Sequence, residues 1–249
     1  MARNRTRLIW AGALVVALAF GGLVYLNLTT PAYACGQQWT ADATPTPAPG
    51  ATQRLGYNQE DMGRTHVPVG TAVKYTFCPP ASGNHWSSIP LGPIPPRVYG
   101  PNEKTVPEGW VHNMEHGGLV LVYNCGKNGG DGCSASAQAT MKQLYQTWPA
   151  SPVCALQPGV VGPVMTRFDD MNYPYAALVW DEILPLQTLD AVTTQQILTF
   201  FQQEGERFNP EKQCVQPSGA PSTAPSTAPT AAPTQVPASE TPSTSPAAS

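Results

Sequence analysis

The stretch HNMEHGGLVLVYN (residues 112–124) joins a histidine-rich heptapeptide to an unbroken apolar run. The second half, GLVLVYN (118–124), reads as a buried strand, because a short apolar run without alternation suits a strand covered on both faces. The first half has two readings. On a helix, His112 and His116 stand at i and i+4 and share a face, with Glu115 beside them. H-x-x-E-H is formally the inverzincin pattern, in which two histidines hold zinc and the glutamate is a general base. On an extended segment, His112, Met114 and His116 point the same way. Two imidazoles and a thioether on one face would suit copper. The glycine pair that leads straight into a strand, and flanks without a helical stripe, favour the extended reading.

Working outward, the remaining elements follow from periodicity. TAVKYTF (71–77) alternates and reads as a strand. Residues 78–110 form a long Pro/Gly-rich irregular segment, whose Trp86, Tyr99 and Trp110 argue for packing rather than disorder. SASAQATMKQLYQTW (134–148) reads as a helix, with Ser134 or Ser136 as its cap and Met141, Leu144, Tyr145 and Trp148 on one stripe. GVVGPVMTRF (159–168) and YAALVWDEILPL (175–186) read as strands. TLDAVTTQQILTFFQQEG (188–205) reads as a second helix that faces Ile197, Phe200 and Phe201 inward and ends at Gly205. The order predicts an α+β domain: a small mixed or antiparallel sheet, two helices and one long loop.

The N-terminus is expected to meet a membrane. Arg3, Arg5 and Arg7 precede the apolar run LIWAGALVVALAFGGLVYLNL (8–28). A helix of this length reaches roughly 30 Å, enough to cross a bilayer. The arginines should stay in the cytoplasm, which places the rest of the chain outside the cytoplasmic membrane. Ala32 and Ala34 also make an A-x-A pattern that would permit cleavage before Cys35. A single-span anchor is the preferred reading over residues 1–34. Residues 35–54 then read as a Pro/Ala/Thr linker, 55–215 as the globular body, and 216–249 as a disordered Pro/Ser/Thr/Ala tail that lacks apolar side chains to bury. Six cysteines, all beyond the apolar run, suggest disulfides in an exported chain, and Cys125 with Cys133 is the local pair expected across a glycine-rich loop. No C-x-x-C is present, which argues against thiol redox catalysis. A net charge of −3 with only 12% charged residues gives no basic footprint for nucleic acid.

All four histidines, His66, His85, His112 and His116, fall within 51 consecutive residues, each in a turn-rich motif. Imidazole is the commonest metal-binding side chain. The set is expected to bind a transition metal, copper before zinc, with Asn113 and Glu115 as supporting partners. Two other readings stand beside it. One is a metal-dependent hydrolase with Glu115 as base; the other is a non-catalytic surface module whose histidines only hold the long loop. Ser82 lies near His85, but no G-x-S-x-G elbow accompanies it. The mutual distances of the four imidazoles decide most between these readings.

HVPVGTAVKY (66–75), PPASGNHW (79–86), VHNMEHGGLVLVY (111–123), AALVW (176–180) and the final helix resemble, in order, the blocks of a bacterial domain-of-unknown-function family, number 3105. The resemblance covers about residues 55–210. It implies that His66, His85, His112, Asn113, Glu115 and His116 are the family's characteristic positions, and that the protein is exported or membrane-anchored. The family position held here by Met114 is often leucine. The family has no assigned activity, so the resemblance supplies none.

Overall fold

The computed structural model describes residues 15–16, 33–41, 54–149 and 162–205. The core element is a five-stranded mixed sheet. Its strands are β2 (Tyr57–Asn58), β6 (Val120–Tyr123), β7 (Val164–Arg167), β8 (Tyr175–Val179) and β9 (Glu182–Leu186), in the order β2-β9-β8-β6-β7. Only the β6–β7 pair is parallel. Two parallel ribbons stand apart from this sheet: β1 (Tyr33–Gln38) with β4 (Val73–Cys78), and β3 (His66–Val67) with β5 (His85–Trp86).

The apolar run that reads as a buried strand is covered on both faces. Leu119, Leu121 and Tyr123 point to one side. There they meet Met141, Leu144 and Trp148 of helix α2 (Ala135–Gln146) and Ile197, Phe200 and Phe201 of helix α3 (Ala191–Glu204). Val120 and Val122 point to the other side. There they meet Trp110, Val111 and Met114 of helix α1 (Pro107–Glu115), and Tyr75 and Trp39 of the β1–β4 region. Strict alternation of packing along an all-apolar strand is the signature of a sheet buried on both faces. Ser134 caps α2 by accepting from the Ala137 amide, as its sequence position predicts. Asp190 caps α3 in a reciprocal box with Thr193.

Several sequence expectations are corrected. There are three α-helices among the described residues, not two, because the histidine heptapeptide completes α1. The single strand expected over 175–186 is a hairpin: Val179 pairs with Glu182 across the turn Trp180–Asp181. Asp181 adopts the left-handed region there, at φ 59°, which aspartate tolerates better than most residues. The long 78–110 segment is ordered and packs Trp86, Tyr99 and Trp110 into the interior, as its aromatics suggest. It also supplies β5, lies alongside β7 at Val98 and carries the start of α1. At the other end, residues expected to open the linker belong to β1, because Cys35 bonds to Cys78 and aligns one strand against the other. The expected Cys125–Cys133 disulfide is present. Cys154, Cys214, most of the apolar run 8–28 and the tail 216–249 lie outside the described residues. Among the described residues no helix is long and apolar enough to cross a membrane.

Asp181 generates a stability prediction. Burial, aided by nearby Asp61, pushes its carboxyl up to about 6 from an ordinary 3.8, against hydrogen bonds from Ser82 and Trp180. A folded-state value above the unfolded one means that folding favours the protonated form. That stabilisation is complete below about pH 4 and is lost as pH rises through 6. Asp181→Asn removes the ionisation and keeps the left-handed preference. It should stabilise the protein by about 1 kcal/mol at pH 7, after a discount for partial exposure, and by almost nothing at pH 4. Urea denaturation of both proteins at the two pH values checks this.

Candidate metal centre

The site begins with two devices that aim histidines. The parallel β3–β5 pair sets His66 directly opposite His85. Helix α1 sets His112, Glu115 and His116 at i, i+3 and i+4, on one face. Met114 points away into the core, where leucine would serve equally, so the thioether is not among the groups that face the histidines. The extended reading of HNMEHGG, which would have brought Met114 and both imidazoles to one side, is therefore corrected. The helix starts with Pro107 at its first position and closes in a Schellman motif. The Gly117 amide donates to the Met114 carbonyl at 2.9 Å, and the Gly118 amide to the Asn113 carbonyl at 2.8 Å. Gly117 takes a φ of 80°, and a Cβ on Gly118 would lie 2.7 Å from the Asn113 carbonyl oxygen. The glycine pair is thus the cap of α1, which accounts for its place immediately after Glu115–His116.

The four imidazoles are gathered. Ring centroids lie 5.0 Å apart for His66–His85 and His66–His112, 4.8 Å for His85–His112 and 4.9 Å for His112–His116. His85, His112, His116 and Glu115 are buried, whereas the His66 side chain is 40% exposed and forms the solvent edge. One carboxylate oxygen is the focus. Glu115 Oε2 lies 3.0 Å from His66 Nε2, 2.8 Å from His85 Nε2 and 4.0 Å from His112 Nε2. One ligand atom from each of His66, His85, His112 and Glu115 can be chosen so that all lie within 4.8 Å of one another, and this group could hold a metal ion. Four donors about 2 Å from a single ion stand roughly 3.3 Å apart at the corners of a tetrahedron. The cluster is close to that size. His116 adjoins the group from behind, its Nε2 3.0 Å from His112 Nε2.

Backbone carbonyls decide the protons. His85 Nδ1 lies 2.7 Å from the Gly83 carbonyl, and His112 Nδ1 lies 2.7 Å from the Trp86 carbonyl. A carbonyl oxygen only accepts, so both Nδ1 atoms must carry hydrogen. In the neutral rings, both Nε2 atoms then present lone pairs. The His112 lone pair accepts from His116, whose Nε2 must carry the hydrogen of that contact. The His85 lone pair faces the Glu115 oxygen, which also offers only lone pairs. Either a hydrogen on His85 Nε2, which makes that ring cationic, or a bound cation would join the two. Burial pushes His112 down to about 4, helped by neighbouring His85 and His116 and opposed by its bond to the Trp86 carbonyl and by Glu115. His112 is therefore neutral at any pH near 7, and its lone pair, which here accepts from His116, would have to exchange that contact for a metal ion. Burial pushes Glu115 up, but hydrogen bonds and charge from His85 and His66 outweigh it and hold the carboxyl down at about 2.

The flanking motif residues build the frame. Asn113 accepts from the Ile94 amide at 3.0 Å and donates to the Ile94 carbonyl at 2.8 Å, which clamps the long loop to α1. Ser82 is fully buried and accepts from the Met62 amide, so it serves as a brace for the loop that carries His66. Gln59 bridges the Pro79 carbonyl and the Ala81 amide, and the Tyr75 hydroxyl donates to the Asn84 carbonyl. PPASGNHW is therefore a braced loop that presents the Gly83 carbonyl to His85. Trp180 adds an edge-on contact to the His85 ring at 6.1 Å.

Residues 66–217, more than half of the chain, match the family described as "Protein of unknown function (DUF3105)". The chain belongs to the DUF3105 family. The match begins at His66, the first member of the cluster, and takes in the whole of it. No curated protein and no solved structure matches this DUF3105 chain. What sequence reading missed in the DUF3105 site is mostly main chain: the Gly83 and Trp86 carbonyls have no side-chain signature. Glu115, read as a supporting partner, stands among the possible ligand atoms themselves. Pro107 and Gly117, ten residues apart, were the available signal for the helix.

The clamp role of Asn113 is testable apart from any metal. Asn113→Ala leaves the Ile94 amide and carbonyl buried without partners, a loss of about 2–3 kcal/mol. Chemical denaturation should show the same loss with and without a chelator.

Proposed function

We propose that this protein is a membrane-anchored, extracytoplasmic domain that binds a divalent transition metal through His66, His85, His112 and Glu115. The observation that carries the reading is the proton arrangement. Two backbone carbonyls turn the lone pairs of His85 and His112 toward a carboxylate oxygen already beside His66. Metal-bound histidines are oriented in this way, with the other ring nitrogen donating to a carbonyl or carboxylate. A proton on His85 could also settle its contact with Glu115, but a single ion would draw on all four of these groups together. The donor set is three nitrogens and one oxygen. It suits zinc, and copper(II) next. Copper(I), the better match for a thioether, loses its support with Met114 in the core. When bound, such an ion would supply Lewis acidity at the His66 edge, where the side chains leave the site open to solvent. The chain's own residues orient the ligands, hold His112 neutral and exclude water from all but that edge.

The two other readings have less support. A glutamate that acts as general base needs its carboxylate free beside a metal-bound water, whereas Glu115 is engaged by His66 and His85. Histidines that merely hold a loop need not converge, yet here neighbouring rings lie about 5 Å apart. The membrane placement rests on the Arg-flanked apolar run 8–28. The two disulfides agree with an oxidising compartment.

Titration of the purified protein with Zn(II), Cu(II) and Cu(I), with metal analysis, tests the reading. One equivalent of Zn(II) should bind. His85→Ala, His112→Ala and Glu115→Ala should each weaken it by about 100-fold or more, and His116→Ala by less. Variants that bind zinc as tightly as the parent would refute the site.

A further inference from the structure

The strands that carry the metal-site histidines also project an apolar tip. Because β3 and β5 are parallel and in register, the loops that follow them leave the same end of the pair. After Val67 comes the turn Pro68–Thr71, closed by the Thr71 amide on the Pro68 carbonyl at 3.0 Å, with Val69 42% exposed. After Trp86 comes a tight tip closed between Ser88 and Gly92, with Ile89 48% and Leu91 50% exposed. The Trp86 indole donates to the Thr71 carbonyl at 3.0 Å and ties the two loops together. Outside the apolar run, four large apolar side chains are exposed among the described residues, and three of them stand here. The fourth, Val192, is at the start of α3. Neither PVGT (68–71) nor SSIPLGP (87–93) contains a charged residue.

The same end receives the chain from its N-terminal side. Val73, the first residue of β4, follows the Pro68–Thr71 turn by two positions. Tyr33, the first residue of β1, is paired with Val73 in parallel. Tyr33 comes five residues after Leu28, the last of the apolar run. The five steps from Leu28 to Tyr33 span at most about 18 Å. The geometry points to a membrane-docking face: Val69, Ile89 and Leu91 enter the headgroup layer of the same bilayer that holds residues 8–28. This rests on the anchor reading above. The bilayer is the occupant because the chain is delivered to it at this end, and because a tip of aliphatic side chains without charges has no charge to desolvate on entering the headgroup layer. Tethering raises the local concentration enough for three half-exposed side chains to dock, although the same tip on a free domain would bind vesicles weakly. His66, three residues before Val69, would then hold the open edge of the metal centre close to the membrane surface.

The test uses the full chain reconstituted in vesicles of phosphatidylethanolamine and phosphatidylglycerol. Leu91→Cys and, as control, Val192→Cys each carry an environment-sensitive nitrobenzoxadiazole label, and each is first shown to melt like the parent. The label at 91 should shift to the blue and lose emission to doxyl groups carried on the lipids; the label at 192 should do neither. A chain that floats with the vesicles while its 91 label reports water overturns the docking face and leaves the anchor standing. A label at 91 that is dry but untouched by lipid-borne doxyl means a protein covers the tip, which also overturns it. A chain that fails to float removes the anchor, and the docking face with it.

Discussion

Two hydrogen bonds to main-chain carbonyls govern the character of this site. Had the Gly83 and Trp86 carbonyls been elsewhere, His85 and His112 could turn Nε2–H toward Glu115 and form an ordinary buried hydrogen-bond network. With Nδ1 committed, the neutral His85 and His112 rings have no hydrogen to offer the Glu115 oxygen, and His66 Nε2 is the neutral donor beside it. Everything around the site serves those two bonds. The braced PPASGNHW loop holds the Gly83 carbonyl, the β3–β5 pair holds Trp86, and the Asn113 clamp keeps α1 against both. The arrangement is costly in a buried setting, since unpaired polar groups there destabilise a fold by roughly 1–3 kcal/mol each.

The elements whose packing repeats regularly were legible in the sequence. β6 reads as a buried strand because both of its faces are apolar, and α2 and α3 read as helices because each has one wet and one dry side. Helix α1 is the instructive failure. All nine of its residues are buried, so no polar stripe faces solvent. Its polar side chains point inward instead, His112 and Glu115 to the site and Glu108 and Asn113 to the main chain of Val73 and Ile94, which erases the contrast that periodicity detects. Its boundaries remained written in Pro107 and Gly117, a signal of a different kind. The hairpin at Trp180–Asp181 escaped because a left-handed aspartate, rather than glycine or asparagine, makes the turn. β1 escaped because a six-residue strand before a Pro/Ala/Thr stretch has composition against it, and only its disulfide and register to β4 disclose it.

The candidate site was legible as a set of residue types and illegible as a geometry. Spacing places four histidines in turn-rich motifs within one short region, and the family match covers all of them. Spacing does not reveal that Met114 lies on the wrong side of α1. Nor does it reveal that Glu115, not a histidine, is the atom nearest the centre of the group. Both depend on the helical phase of a segment whose helicity was itself hidden.

The Cys35–Cys78 bond has a consequence for how the body is joined to the N-terminal segment. It joins the strand nearest the apolar run to the strand that leads into the histidine loop, and it encloses the whole Pro/Ala/Thr stretch within its loop. A protease that cuts anywhere in residues 42–53 therefore opens a ring rather than severing a tether. The folded body stays covalently joined to the N-terminal segment, and shedding it would take two chemically different events, a peptide cleavage and a reduction.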